Sequence, residues 1–209
     1  VVLLLSLVIS ARAGVLYSNG PIDGTVTGIE FDGANSPDIS DSFVLQSSSI
    51  VTGLSNIGIW VVSGDTFTSL DWVISTGPDG TGTVEGSAAN ATPSSATELL
   101  PTTSYGGGGD FNVYNVSFSV PDLNLEAGTF YLTFANAMGS DTIASIFWDQ
   151  NGGPSTAALY MDGDYEDAVG SSSFEIDGTV APEPASLILF GIGFVAMAAT
   201  KIIRTVRTP

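Results

Sequence analysis

Between residues 13 and 180, no stretch of ten or more residues repeats its apolar positions every three to four residues. Such a chain has no helical stripe to bury, so its core must come from strands. The apolar residues fall in short runs, many of them β-branched or aromatic, that alternate with polar ones. "FNVYNVSFSV" (residues 111–120) is the cleanest. Phe111 and Val113, then Val116, Phe118 and Val120, are expected on one face either side of an offset at Tyr114. "GTFYLTFAN" (128–136) alternates too. Further strands are expected at 25–31, with Gly28 as a candidate bulge, and at 41–46, 50–54, 57–63, 70–76, 82–88, 143–150, 157–161 and 172–178. About ten strands with Gly, Asp and Asn turns between them predict an all-β fold, an antiparallel β-sandwich or jelly roll. Residues 89–110, with Pro93, Pro101 and the run Gly106 to Gly109, read as a long mobile loop.

Charge is the second constraint. The only cations, Arg12, Lys201, Arg204 and Arg207, lie near the ends, and the chain has no His and no Cys. Residues 14–180 therefore hold all of the 22 acidic residues except Glu183, with no cation to pair them. Phosphate backbones need cations, so nucleic acid is excluded as a partner. Nucleophilic triads, Schiff bases and phosphate clamps cannot be built, and there is no thiol or disulfide chemistry. The remaining enzyme chemistry is that of paired carboxylates beside aromatic platforms, as in glycosidases. Asp71 next to Trp72 and Asp149 next to Trp148 are its candidates. The expectation is a protein that is not an enzyme, whose compact state repels itself and gains from salt.

The two ends read as addresses. Residues 1–9 are apolar apart from Ser6, and Ala11 and Ala13 stand at the two positions a signal peptidase reads. Residues 1–13 are thus expected to be a secretory signal, truncated at its start and cleaved after Ala13. At the other end Pro182-Glu183-Pro184 precedes an apolar run, and Lys201, Arg204 and Arg207 follow it. A transmembrane helix is expected over about 185–203, with Lys201 reaching back to the headgroups. The basic side stays cytoplasmic, so the bulk of the chain faces outward.

This tripartite tail resembles a PEP-CTERM sorting signal, carried here by Pro182, Glu183, Pro184, Lys201, Arg204 and Arg207 over about residues 181–207. The basic residues are spread out where the usual signal has a contiguous run. The resemblance implies an exported protein processed by an exosortase, in bacteria that also export polysaccharide. A weaker resemblance extends over the middle of the chain. "LYSNGP" (16–21), "VTGLSNIGIW" (51–60), "LNLEAGTFYLTFAN" (123–136), "IFWDQNGG" (146–153) and "SFEIDGTVAPEP" (173–184) are similar to the ectodomain shared by many proteins with such tails. It implies a β-sandwich and no activity.

The domain plan is therefore a signal at 1–13, an acidic β-sandwich ectodomain at 14–180 and a sorting tail at 181–209. Two oxygen-rich stretches are candidates for calcium, which takes six to eight oxygen ligands. One is "DGDYED", with Asp162, Asp164, Glu166 and Asp167. The other is residues 31–41, with Asp32, Asn35, Asp38 and Asp41. The first does not have the spacing of an EF-hand, since position six from Asp162 is Asp167 and position twelve is Ser173. Tyr105 and Tyr165 sit in loop-like sequence and are candidates for stacking on sugar rings. Trp60, Trp72 and Trp148 are expected in the core. The function expected is a non-enzymatic cell-surface or exopolysaccharide-matrix protein, anchored in the membrane by its C-terminus or released. The alternative is a carbohydrate-binding or adhesive module, with or without calcium.

Overall fold

The computed structural model describes residues 13–24, 28–33, 36–105, 109–141 and 145–181, the side chains of 100–105 excepted. Fifteen strands and no helix lie among them. They are β1 (Gly14–Ser18), β2 (Ile29–Glu30), β3 (Asp38–Leu45), β4 (Ser49–Val62), β5 (Phe67–Ser75), β6 (Val84–Ala91), β7 (Ser95–Tyr105) and β8 (Gly109–Leu125). After these come β9 (Gly128–Gly139), β10 (Ile146–Trp148), β11 (Gln150–Asn151), β12 (Ala157–Met161), β13 (Asp164–Val169), β14 (Ser171–Ser172) and β15 (Glu175–Val180). All belong to one compact unit, Arg12–Val180.

The seven-stranded sheet is organised around β4. One side of β4 carries β15 along its first half and β10 along its second; the other side carries β8. β1 lies outside β15, β2 outside β10 and β7 outside β8. The second sheet runs β13-β12-β3-β9-β5-β6, and β11 and β14 form a two-residue ladder. Alternation places Ile39 and Phe43 of β3, Phe130, Leu132 and Phe134 of β9, and Leu70, Trp72 and Ile74 of β5 on the inner face of the six-stranded sheet. They meet Leu54, Ile57, Ile59 and Val61 of β4 and Val116, Phe118 and Val120 of β8 from the other sheet. Phe118 and Phe134 bridge the two layers at 6.5 Å between centroids, and Phe134 lies 4.4 Å from Trp148. All three tryptophans are buried, as expected of core residues.

Several of these expectations need correction. The runs at 50–54 and 57–63 are one strand, β4, bent where its register on β8 slips between Leu54 and Ile57. Asn56 takes a left-handed φ of 52° at that slip. Because the extra residue belongs to β4, β8 itself has no offset at Tyr114. Phe111 and Val113 therefore point away from Val116 and Phe118, and pack with Trp60, Phe147 and Ile22 as a second small cluster. Residues 89–110 are not a long loop: β6 runs to Ala91, β7 fills Ser95–Tyr105, and β8 starts at Gly109. Pro101 fits there because β7 is an edge strand, where a missing N–H breaks no ladder. The acidic stretch after Met161 is a tight turn at Asp162 and Gly163, both at positive φ, followed by β13. Residues 25–27 of an expected strand lie outside the described residues. Gly28, beside them, has Phe147 Cβ only 2.5 Å from where a Cβ would stand.

Candidate functional site

The residues of the sorting signal, Pro182, Glu183, Pro184, Lys201, Arg204 and Arg207, lie outside the described residues, as do Ala11 and the apolar span expected at 185–203. Ala13 is exposed just before β1. No helix among the described residues is long and apolar enough to cross a membrane.

Within the domain, carboxylates with no cation at hand must be held by neutral donors or by protons. Asp41 and Asp149 are both fully buried. Asp41 points inward from β3 between Ile39 and Phe43. Its Oδ1 accepts the Ser42 N–H at 2.7 Å, and its Oδ2 accepts the Ser172 N–H at 2.9 Å and the Asn19 amide at 3.0 Å. Asn19 Nδ2 also lies 2.7 Å from Ser155 Oγ, 2.8 Å from Ser171 Oγ and 2.8 Å from Ser172 O. Its two hydrogens are shared among these four oxygens, and because an amide nitrogen accepts nothing, the serine hydroxyl protons go to other acceptors. Burial raises the Asp41 carboxyl above its ordinary range, against the hydrogen bonds of Ser155, Ser172, Ser42 and Asn19.

Asp149 follows β10. Its Oδ1 accepts the indole N–H of Trp60 at 2.7 Å and the Gly24 N–H at 3.2 Å, and its Oδ2 accepts the Asp23 N–H at 3.2 Å. Burial nevertheless pushes it up to about 6, with the charge of Asp23 adding to the effect. Gly58 lies against it: a Cβ there would sit 2.5 Å from Asp149 Cβ and 2.7 Å from Ser173 Oγ. Asp65, in the β4–β5 turn, goes the other way. Burial alone would raise it, but hydrogen bonds from Ser140, Thr66 and Asp141 outweigh that and hold it below the ordinary value.

A further carboxylate group lies on the outer face of the six-stranded sheet. Asp38 opens β3 opposite Tyr160 of β12. The connection between β5 and β6, residues 76–83, folds over this face, and Asp79 donates its N–H to Ser40 Oγ at 3.2 Å. Beneath it Thr133 Oγ1 donates to the same oxygen at 3.0 Å. The connection is braced by Gly77 N–H to Thr81 O and Thr81 N–H to Pro78 O, both 3.0 Å. Asp79, Gly80 and Gly82 take the left-handed backbone this tight path requires. Asp38 and Asp79 are neighbours on this face, and each shifts the other's carboxyl. Burial, then the charge and hydrogen bond of Asp79, then the charge of Asp71, push Asp38 up to about 6. Burial also raises Asp79, with its bond to Asp38 opposing.

The other candidate residues are dispersed. Asp162 is in the β12–β13 turn, and Asp164, Glu166 and Asp167 lie along β13, an exposed edge strand. Asp32 bonds Ser36 Oγ at 2.9 Å, Asn35 lies outside the described residues, and Asp38 and Asp41 point to opposite faces of β3. Among the described residues no group of three or more acidic, His or Cys side chains is placed to hold a metal ion. Asp71 is tied to the Asn90 N–H and to Asn136 on the outer face of one sheet, while Asp149 is buried beside the other. Tyr165 is 59% exposed, its ring edge-on to Tyr160 at 6.0 Å. Tyr105 ends β7, and its side chain is outside the described set. Sequence reasoning had marked neither Asn19 nor Asp79. Both act through partners far along the chain, and the one local signal was the turn-forming Pro78-Asp79-Gly80.

A family model of the PEP-CTERM protein-sorting motif matches residues 180–202. The match takes in Pro182, Glu183, Pro184 and Lys201, and its first residue, Val180, is the last of β15. The chain is thus a carrier of the sorting motif borne by exported proteins that an exosortase processes. No curated protein and no solved structure matches the chain.

Proposed function

We propose, from the sorting motif at residues 180–202, that this protein is a non-enzymatic component of the cell envelope or extracellular matrix. Its role would depend on where the tail delivers an acidic β-sandwich. The motif carries this reading. The domain supports it through its lack of Lys, Arg, His and Cys, which removes the groups most hydrolases and transferases use as bases, nucleophiles or clamps. Replacing Pro182, Glu183 and Pro184 together with Ala, in a host with its exosortase, tests it. The wild-type domain should reach the cell surface or medium, and the variant should stay in the inner membrane fraction. The same distribution for both would refute delivery by the tail.

A second reading, a carbohydrate-binding module, is favoured by the exposed ring of Tyr165 beside Tyr160. Saturable binding of the host's exopolysaccharide that weakens in Tyr165→Ala would support it. Binding that is absent, or unchanged in the variant, would remove it.

A further inference from the structure

The chain has two Asn-Gly pairs, Asn19-Gly20 and Asn151-Gly152. The fold joins them across 132 residues: Asn151 Nδ2 donates to Asn19 O at 2.9 Å and to Pro21 O at 3.0 Å. An asparagine before glycine is chemically labile in a flexible chain, because no Cβ keeps the following nitrogen away from its side chain. We propose that Asn19 is a self-modification site that limits how long the chain stays competent to fold: the folded domain protects its amide, and the unfolded chain loses it irreversibly by deamidation.

The reaction needs no co-reactant except water. The Gly20 backbone nitrogen bonds to Asn19 Cγ, the Cγ–Nδ2 bond breaks, and the amide nitrogen leaves as ammonia with the Gly20 proton. Water then opens the resulting ring at either carbonyl, giving aspartate or isoaspartate. Three observations carry the proposal. First, the fold requires the glycine that makes Asn19 labile. Gly20 takes a φ of 98°, and a Cβ there would stand 3.0 Å from Asn151 Nδ2. Second, the folded state holds the reacting atoms apart. Asn19 is fully buried, with Nδ2 among Asp41 Oδ2, Ser155 Oγ, Ser171 Oγ and Ser172 O at 2.7–3.0 Å. Its Oδ1 accepts from Tyr17 at 2.8 Å, and the Gly20 N–H is turned to Ser18 Oγ at 3.4 Å. Ring closure would have to pull Cγ out of this cage and let water in. Third, the product does not fit back. A carboxylate at position 19 only accepts, so it would face Asp41 Oδ2 and Ser172 O with no hydrogen to give. Residues 14–180 hold no Lys, Arg or His to neutralise two buried carboxylates. Isoaspartate adds a backbone carbon as well, which displaces the Asn19 N–H from Phe174 O, now at 2.9 Å.

The test incubates the full chain in detergent micelles at mildly alkaline pH, once folded and once unfolded in urea. Peptide mapping by mass spectrometry then follows the amide-to-acid mass gain at Asn19. Conversion should be roughly a hundredfold slower or more in the folded sample, because it must wait for the cage to open. Samples taken from urea at intervals are returned to native buffer, and folded molecules are separated from the rest by size exclusion. The refolded fraction should fall as Asn19 converts, and the molecules that refold should carry Asn19 intact. Gly152→Ala removes the other labile pair at a position with nothing within 4 Å, so it should fold like wild type and lose refolding at the rate of Asn19 alone. Asn19→Asp, made directly, should not reach the native state at the same pH. Equal conversion in the folded and unfolded samples would overturn the proposal, as would an Asn19 that stays intact in urea. So would refolded molecules that carry the acid at position 19, or an Asn19→Asp chain as stable as wild type.

Discussion

Raising the pH from about 4.5 to about 7.5 should destabilise this domain, the reverse of ordinary acid denaturation. Asp149 gives the reasoning a number. Its carboxyl is buried and raised from 3.8 to about 6. A group whose folded value lies above its unfolded one stabilises the fold fully below the unfolded value. It loses that contribution as pH rises through the folded one. Over this interval the unfolded chain releases its proton earlier than the folded one, and linkage puts the loss at about 2 kcal/mol for Asp149 alone. For a domain of this size that is a fall in Tm of about 4–8 °C. Asp38, Asp41 and Asp79 shift in the same direction and add to it. Thermal unfolding by circular dichroism across the pH series measures the slope. Running it in about 0.5 M salt screens the repulsion between exposed carboxylates and leaves the part due to buried ones. Asp149→Asn should flatten the slope, even though its amide faces the Asp23 N–H and lowers stability overall. A Tm that is flat or rises with pH would refute the reasoning. It would mean that the N–H groups of Trp60, Asp23 and Gly24 compensate fully for lost hydration.

Other outcomes follow from the same contacts. Gly58→Ala should lower stability by roughly 1–3 kcal/mol in denaturant titration, because its Cβ has no room beside Asp149 and Ser173. Gly14→Ala, with nothing within 4 Å, should be silent in the same assay. Asn19→Ala should cost roughly 2–3 kcal/mol, since it strips a buried carboxylate of a donor and Tyr17 of its 2.8 Å acceptor. Trypsin should find no site between Arg12 and Lys201 even after denaturation, which gel electrophoresis reads directly.

The parts of the fold legible in the sequence are those whose two faces differ. β12 falls on its expected residues, and the alternating part of β9 at 128–136 shows its inward Phe130, Leu132 and Phe134. β7 and β13 were hidden because edge strands exposed on most positions leave no alternation to read. Ser95 to Leu99 are all exposed, as are Asp164 to Ala168. The direction of Phe111 and Val113 was misread because the register slip lies in the partner strand, which the sequence of β8 does not record. The buried carboxylates were invisible for a related reason. Asp41 meets Asn19 and Ser172, and Asp149 meets Trp60 and Gly24, at separations no local pattern spans. Asp149 drew notice only for the tryptophan preceding it, whereas the indole it binds is Trp60.

The position of β15 has a consequence for the order in which the protein is made. It is the last strand in the chain, yet it sits between β1 and β4, and β1 has no other hydrogen-bonded strand partner among the described residues. Gly14 must wait for Gly178 before its backbone is paired. A chain delivered N-terminus first therefore holds its opening strand unzipped until almost the whole domain has emerged. Closure is the kind of late, non-local step that makes β-proteins fold slowly. In any chain that emerges N-terminus first, such a topology ties completion of the sheet to the arrival of the last strand.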